Sequence, residues 1–239
     1  MPLHDKDIRE PLFDFLEEAY GKIRIIEEKT MGKSRADVVM VTEDDLVGIE
    51  IKSDADTYAR LSGQVKDYDK FYDRNIVVVG TSHALHIKEH VPDHWGIITA
   101  ELVDGSMDFY ILREPSENSK LKLENKLKVL WRPELFELQK KYEMPKYKDK
   151  GKDFVIEKIA ERFSDPESRQ QLNADISSIL FERDYTCVEE TLKEYRKGEM
   201  QKVIDAETDT KKKLEYMVAQ AEMRSNFPGP KKRKKRRRK

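Results

Sequence analysis

The stretch from Arg35 to Lys52, Arg-Ala-Asp-Val-Val-Met-Val-Thr-Glu-Asp-Asp-Leu-Val-Gly-Ile-Glu-Ile-Lys, constrains the fold more than any other part of the chain. Val38 to Val41 and Leu46 to Lys52 are short apolar runs rich in β-branched residues. Glu43-Asp44-Asp45 between them is turn chemistry. The pattern predicts two antiparallel strands joined by an acidic turn. Asp37, Glu50 and Lys52 interrupt this apolar hairpin, and a core strand does not carry unpaired charge without a compensating reason.

A turn centred between Glu43 and Asp44 sets Asp37 opposite Glu50. Cross-strand partners on one face have Cβ atoms about 4.5–5.5 Å apart. Carboxylates that close repel each other unless a cation lies between them. Glu50 and Lys52 are two residues apart and share a face of their strand. The hairpin therefore gathers two acids and an amine at one point. A hard divalent ion takes oxygen ligands and keeps several waters. An ion held by Asp37 and Glu50 could orient and acidify a water, with Lys52 placed to position it or to stabilise developing phosphorane charge. The alternative is a surface hairpin in which Glu50 and Lys52 form a salt bridge, commonly worth under about 1 kcal/mol.

Asp37, a turn and Glu50-Ile51-Lys52 resemble the D…(D/E)-x-K core of the PD-(D/E)XK nuclease superfamily. The following Ser53-Asp54-Ala55-Asp56-Thr57 and Arg60-Leu61…Gln64 resemble a bacterial and phage branch of small nuclease-like proteins. The resemblance covers roughly the first half of the chain, and Ala36 stands where the superfamily usually has proline. It implies a restriction-endonuclease-like α/β fold, Mg²⁺ or Mn²⁺ as cofactor, and phosphodiester hydrolysis leaving a 5′-phosphate. It implies catalytic roles for Asp37, Glu50, Lys52 and Gln64. Gln64 and Tyr68 look like the helical Gln-x-x-x-Tyr pair of exonuclease-like branches, in which the glutamine orients the lysine or the substrate. Glu10 on the first helix is the candidate for a fourth, metal-reaching acid, against the alternative of a solvated helix charge.

Composition bounds the rest. The 239 residues suffice for one large domain or a domain with a satellite, and 39% charged against 38% hydrophobic residues predicts a soluble, charge-rich chain that can still build a core. The net charge of −1 hides an asymmetry, because residues 231–239 are all Lys or Arg. Removing those nine from the 46 basic residues leaves 37 against 47 acidic residues, an acidic body with a basic tail. Lys231, Arg233 and Arg236 of the tail are candidates for nonspecific phosphate contact. The single cysteine, Cys187, excludes an internal disulfide framework and a thiolate zinc site. No apolar run reaches membrane-spanning length, so no membrane partner is expected. The expected location is cytoplasmic and nucleoid-associated, or nuclear in a eukaryotic cell because of the tail.

Along the chain, Asp5 to Ala19 has the apolar spacing of an amphipathic helix. Lys22 to Glu28 reads as a strand and Thr30 to Ser34 as a loop whose Lys33, with Arg35, either meets phosphate or solvates the loop. A helix is expected from about Thr57 to Asp73, with Arg60 as its candidate phosphate ligand. Asn75 to Gly80 reads as a central buried strand. A helix is expected from about Ser82 to His90, then a hairpin through Asp104-Gly105-Ser106. His83, His86, His90 and His94 have a spacing that could bind zinc, but Pro92 argues for a solvated histidine-rich helix instead.

Glu114 to Ser119 reads as a linker, and beyond it the pattern is helical. Helices are expected at Trp131–Leu138, Phe154–Phe163 and about 165–183, then a long charged pattern from Val188 to Arg224 that could pair with another protomer as a homodimer. The helix–loop–helix around Lys146, Lys148 and Lys150 weakly resembles a SAP-type nucleic-acid-binding motif, with a small helical packing domain as the plainer reading. The expected organisation is thus an αβββαβ nuclease-like domain at 1–115, a helical region at 120–226 and a basic tail at 227–239. The expected function is a metal-dependent nuclease acting on nucleic acid, DNA first. The alternative is a nonenzymatic DNA-binding adaptor on the same fold.

Overall fold

The computed structural model describes residues 3–183, which belong to one compact unit, Met1–Arg183. A mixed six-stranded sheet is its centre. Its strands are β1 Arg24–Met31, β2 Ser34–Val41, β3 Leu46–Lys52, β4 Arg74–Gly80, β5 Gly96–Val103 and β6 Ser106–Arg113, and they lie side by side in chain order. β1, β2 and β3 are antiparallel, β3, β4 and β5 parallel, and β5 and β6 antiparallel again. The α/β class with a helical C-terminal region is therefore the observed architecture. The parallel centre explains the unbroken apolar runs, since every residue of β3 is buried and helices cover both faces.

Helix α1, Asp5–Tyr20, lies on one face. Its Ile8, Leu12 and Leu16 are fully buried against Val38 and Met40 of β2, Ile49 and Ile51 of β3, and Val78 of β4. The other face carries α2, Leu61–Phe71. Gly48 of β3 makes that contact possible, because a Cβ there would come within 2.7 Å of the Tyr68 ring and also strike Tyr72. Strand alternation then decides the site: Val38, Ile49 and Ile51 face α1, so Asp37, Glu50 and Lys52 face α2.

The β2–β3 register is the one expected, with Val38 opposite Ile49 and Val41 opposite Leu46. The β5–β6 turn is also as expected. Asp104 and Gly105 have φ of 50° and 85°, the left-handed pair of a two-residue hairpin. Three local expectations are corrected. β1 runs on to Met31, so the loop expected from Thr30 shrinks to a tight turn at Gly32-Lys33, with Gly32 at φ 66°. The helix expected from Thr57 begins as a 3₁₀ turn, Tyr58–Arg60, because the Asp56 carboxylate caps Ser53 N (2.9 Å) rather than a helix start. The helix expected at 82–90 is instead a series of turns with a short 3₁₀ segment, Ile87–Glu89. Asp54 pins its start by accepting from Ser82 N (3.0 Å), and the Tyr58 ring lies between the rings of His83 and His90.

Helices α3 Leu123–Leu127, α4 Arg132–Lys141, α5 Lys152–Arg162 and α6 Pro166–Glu182 complete the unit. The connecting stretch after β6 is anchored: Asn118 is buried and donates to the carbonyls of Asp69 (2.9 Å) and Tyr72 (2.8 Å). Buried Lys126 of α3 pairs with Asp73 (2.7 Å) and donates to Asn173 of α6 (2.9 Å). Arg183 pairs with Glu134 of α4, with its guanidinium 4.1 Å from the Trp131 ring centre. The long helical pattern of 188–224, its proposed dimer contact and the basic tail lie outside the described residues.

Candidate active site

The α2-facing side of β2 and β3 meets α2 at a buried polar cluster. Glu50 is 1% exposed and Lys52 4% exposed. The Lys52 ammonium donates to Glu50 Oε1 at 2.6 Å and to Gln64 Oε1 at 3.2 Å. Gln64 returns a hydrogen bond from Nε2 to the same Glu50 oxygen. Tyr68, one helical turn further on, donates to Glu50 Oε2 at 2.7 Å and accepts from Asp37 N at 3.3 Å. Its ring is held against Tyr72 and Trp95. Burial of a charge pair is tolerated when further hydrogen bonds support it, and Gln64 and Tyr68 supply them here.

Asp37 is the electrostatic exception. Its Oδ2 accepts from Ile51 N at 2.9 Å, and among the described residues no group donates to Oδ1. Burial, reinforced by the Glu50 charge, pushes its carboxyl up to about 7, against the opposing pull of Ile51 N–H and Lys52. Burial, with Glu50 and Asp37 adding to it, also drives the Tyr68 phenol well above its usual range, so it stays a neutral donor. The acids and lysine lie in a cleft of about 940 Å³ walled by α1, the β1–β2 turn and α2. Its rim carries Lys33, Arg35, Arg60, Lys66 and Lys70.

A family model described as bacteriophage P4 protein cII matches residues 3–186. The chain belongs to this family. No curated protein and no solved structure matches it. The match covers the sheet, both flanking layers and the helical region, so the cleft of this cII-family chain is built entirely from family-matched residues.

Of the residues singled out by sequence, Asp37, Glu50, Lys52 and Gln64 are brought together, and Lys33, Arg35 and Arg60 line the same cleft. Glu10 does not. It is exposed on α1 and absent from the lining, where Asp5 and Arg9 stand instead. Arg9 is held by Asp5 (2.9 Å) and Glu28 (3.1 Å) and donates to the Asp37 carbonyl at 3.1 Å. Glu28 also pairs with Arg35 at 2.6 Å. Asp5, Arg9 and Glu28 were missed, although the spacing of Asp5 and Arg9 on α1 signals a pair on one helix face.

Lys146, Lys148 and Lys150 lie away from the cleft lining. The ammonium groups of Lys146 and Lys150 sit 4.5 and 5.3 Å from the ring centres of Phe136 and Phe154. Lys231, Arg233 and Arg236 lie outside the described residues. The four histidines do not form a metal site: His94 contacts Asp69 at 2.8 Å, His83 and His90 flank Tyr58, and His86 is exposed. Among the described residues, no group of three or more His, Cys, Asp or Glu side chains has the arrangement to hold a metal ion. The oxygens at Asp37 and Glu50 form a two-carboxylate set, which suits an ion that keeps most of its waters.

Proposed function

We propose that this chain is a divalent-metal-dependent nuclease of the PD-(D/E)XK kind that hydrolyses phosphodiester bonds in DNA. One observation carries the reading: Asp37, Glu50, Lys52 and Gln64, drawn from two strands and a helix, converge on the floor of a cleft rimmed with basic side chains. A buried and a half-buried carboxylate facing one another make sense where a cation joins them. The donor set is all oxygen, and Asp37 Oδ1 has no donor among the described residues, which fits Mg²⁺ or Mn²⁺. When bound by Asp37 and Glu50, the ion would supply Lewis-acid polarisation of a phosphate oxygen and a more acidic water.

The chain's own residues do the rest. Lys52 Nζ, already aimed by Glu50 and Gln64, holds the attacking water and offers positive charge to the developing phosphorane. Gln64 fixes Lys52 and Glu50 relative to each other by bonding both. Tyr68 locks the Glu50 carboxylate plane from beneath. Lys33, Arg35 and Arg60 on the rim are placed for phosphates on either side of the scissile bond.

The test is incubation of the full chain with closed circular and linear duplex DNA in Mg²⁺, Mn²⁺ or EDTA, beside Lys52→Ala. Metal-dependent cleavage lost in the variant is the expected result, and the two substrates separate endonuclease from exonuclease action. DNA binding without any metal-dependent cleavage would overturn the reading in favour of the nonenzymatic adaptor.

A further inference from the structure

Gly63 is the third residue of α2, exposed in its first turn, where no regular helix position requires glycine. Its backbone is ordinary helix rather than the left-handed conformation found at Gly21, Gly32 and Gly105. Packing does not call for glycine either. A Cβ at Gly48 would strike Tyr68 and Tyr72, and one at Gly80 would strike Asp54, but a Cβ at Gly63 would meet nothing within 4 Å. The open space beside it is the cleft, since Gly63 lines the wall between Arg60 and Gln64. A missing side chain that the fold does not need leaves room for a ligand to lie against the helix backbone.

The surroundings identify that ligand. Glu28 is bound to Arg9 and Arg35, Asp67 to Lys70, and Asp56 to Ser53, so these acids are already engaged. Lys33, Arg60 and Lys66 have no acidic partner within 4 Å among the described residues and stand on opposite walls. Free cations on two walls suit a polyanion. Among the described residues, no aromatic side chain lines the cleft. Cavities that hold unstacked bases use aromatic platforms, each worth roughly tenfold or more in affinity per base.

We propose that Gly63 is the contact at which the sugar–phosphate backbone of a nucleic acid lies against α2, and that the cleft grips this backbone without touching the bases. The proposal rests on the cleft being a nucleic-acid site, not on its cutting what it binds.

The experiment measures fluorescence anisotropy of a labelled 30-base-pair duplex with the full chain in EDTA, for wild type and Gly63→Ala. Alanine should raise Tm by about 1–4 °C, because it narrows the freedom of the unfolded chain and meets no neighbour. The same variant should weaken binding by roughly tenfold or more, the signature of a lost close approach rather than of damage to the fold. Leu85→Ala, exposed and outside the cleft lining, should leave affinity unchanged. Duplexes of unlike sequence, and one with three consecutive abasic sites, should bind wild type within about twofold of one another. Equal binding by Gly63→Ala and wild type overturns the contact. A strong dependence on sequence or on the missing bases overturns the backbone-only grip. No binding by wild type overturns both. Binding that follows these expectations without cleavage in Mg²⁺ removes the nuclease reading and leaves this one standing.

Discussion

Replacing Asp37 with asparagine should make the metal-free protein more stable at alkaline pH. The carboxyl is raised from an ordinary 3.8 to about 7 by burial and by Glu50. Between those two values the folded state holds a proton that the unfolded state has released. Stability therefore falls as pH rises through this window, and the full cost is present above pH 7. At 1.36 kcal/mol per pH unit the displacement amounts to on the order of 2–4 kcal/mol, the lower figure allowing for sharing of the proton with the Glu50 pair. Asparagine keeps an oxygen to accept from Ile51 N and removes the charge.

The assay is urea unfolding of wild type and Asp37→Asn from pH 4 to 8.5 with EDTA present. Asp54, Asp67 and Asp69, where hydrogen bonds outweigh the opposing effect of burial and hold the carboxyls below their ordinary range, make stability rise with pH in both proteins. They cancel in the difference, which should be near zero at pH 4 and reach its full size by pH 8. Millimolar Mg²⁺ or Mn²⁺ at pH 8 should then restore stability to wild type alone, by about 2.7 kcal/mol at a hundred times Kd. A difference that does not change with pH, or a wild type more stable than the variant at pH 8 without metal, would refute the electrostatic argument.

Two further substitutions test the packing around the site. Lys126→Met strands the buried Asp73 carboxylate, which burial already pushes up despite its partner, and should cost about 3–5 kcal/mol in urea unfolding. Tyr68→Phe keeps the ring against Trp95 and Tyr72 but removes the donor to Glu50, so it should cost about 1–2 kcal/mol and lower the rate of cleavage in the DNA assay.

The parts of the fold legible in sequence were those set by local chemistry. The β2–β3 register follows from a turn centre and alternation, which alone set Asp37 and Glu50 on one face. The Asp104-Gly105 turn followed from residues that accept positive φ. What failed was set by distant partners. The 82–90 segment has helical composition, yet Asp54 and Tyr58, both far upstream, hold it in turns. Glu10 failed for a different reason, since its phase was readable. At about 100° per residue Glu10 lies roughly 160° from the centre of the Ile8–Leu12–Leu16 stripe, while Asp5 falls beside that centre. The packed stripe decides which acid of α1 can look toward the sheet.

Glu28 shows the limit of such reading. Among the described residues, three other than glycine have positive φ: Asp104 in a hairpin turn, Glu143 just past the end of α4, and Glu28 at 54° within β1. The first two reverse the chain, and Glu28 does not. It interrupts the ladder between the pairs Glu27–Val38 and Lys29–Ala36, directly across from Asp37. A left-handed residue without glycine's freedom costs about 1–2 kcal/mol. The return is visible in its carboxylate, which bridges Arg9 and Arg35 above the Asp37 carbonyl. The same acid that bends the strand thus fixes two guanidiniums at the mouth of the cleft. A strand with regular alternation at this point would have no reason to aim Glu28 there. No propensity or periodicity encodes that choice, because its benefit exists only once α1, β1 and β2 have come together.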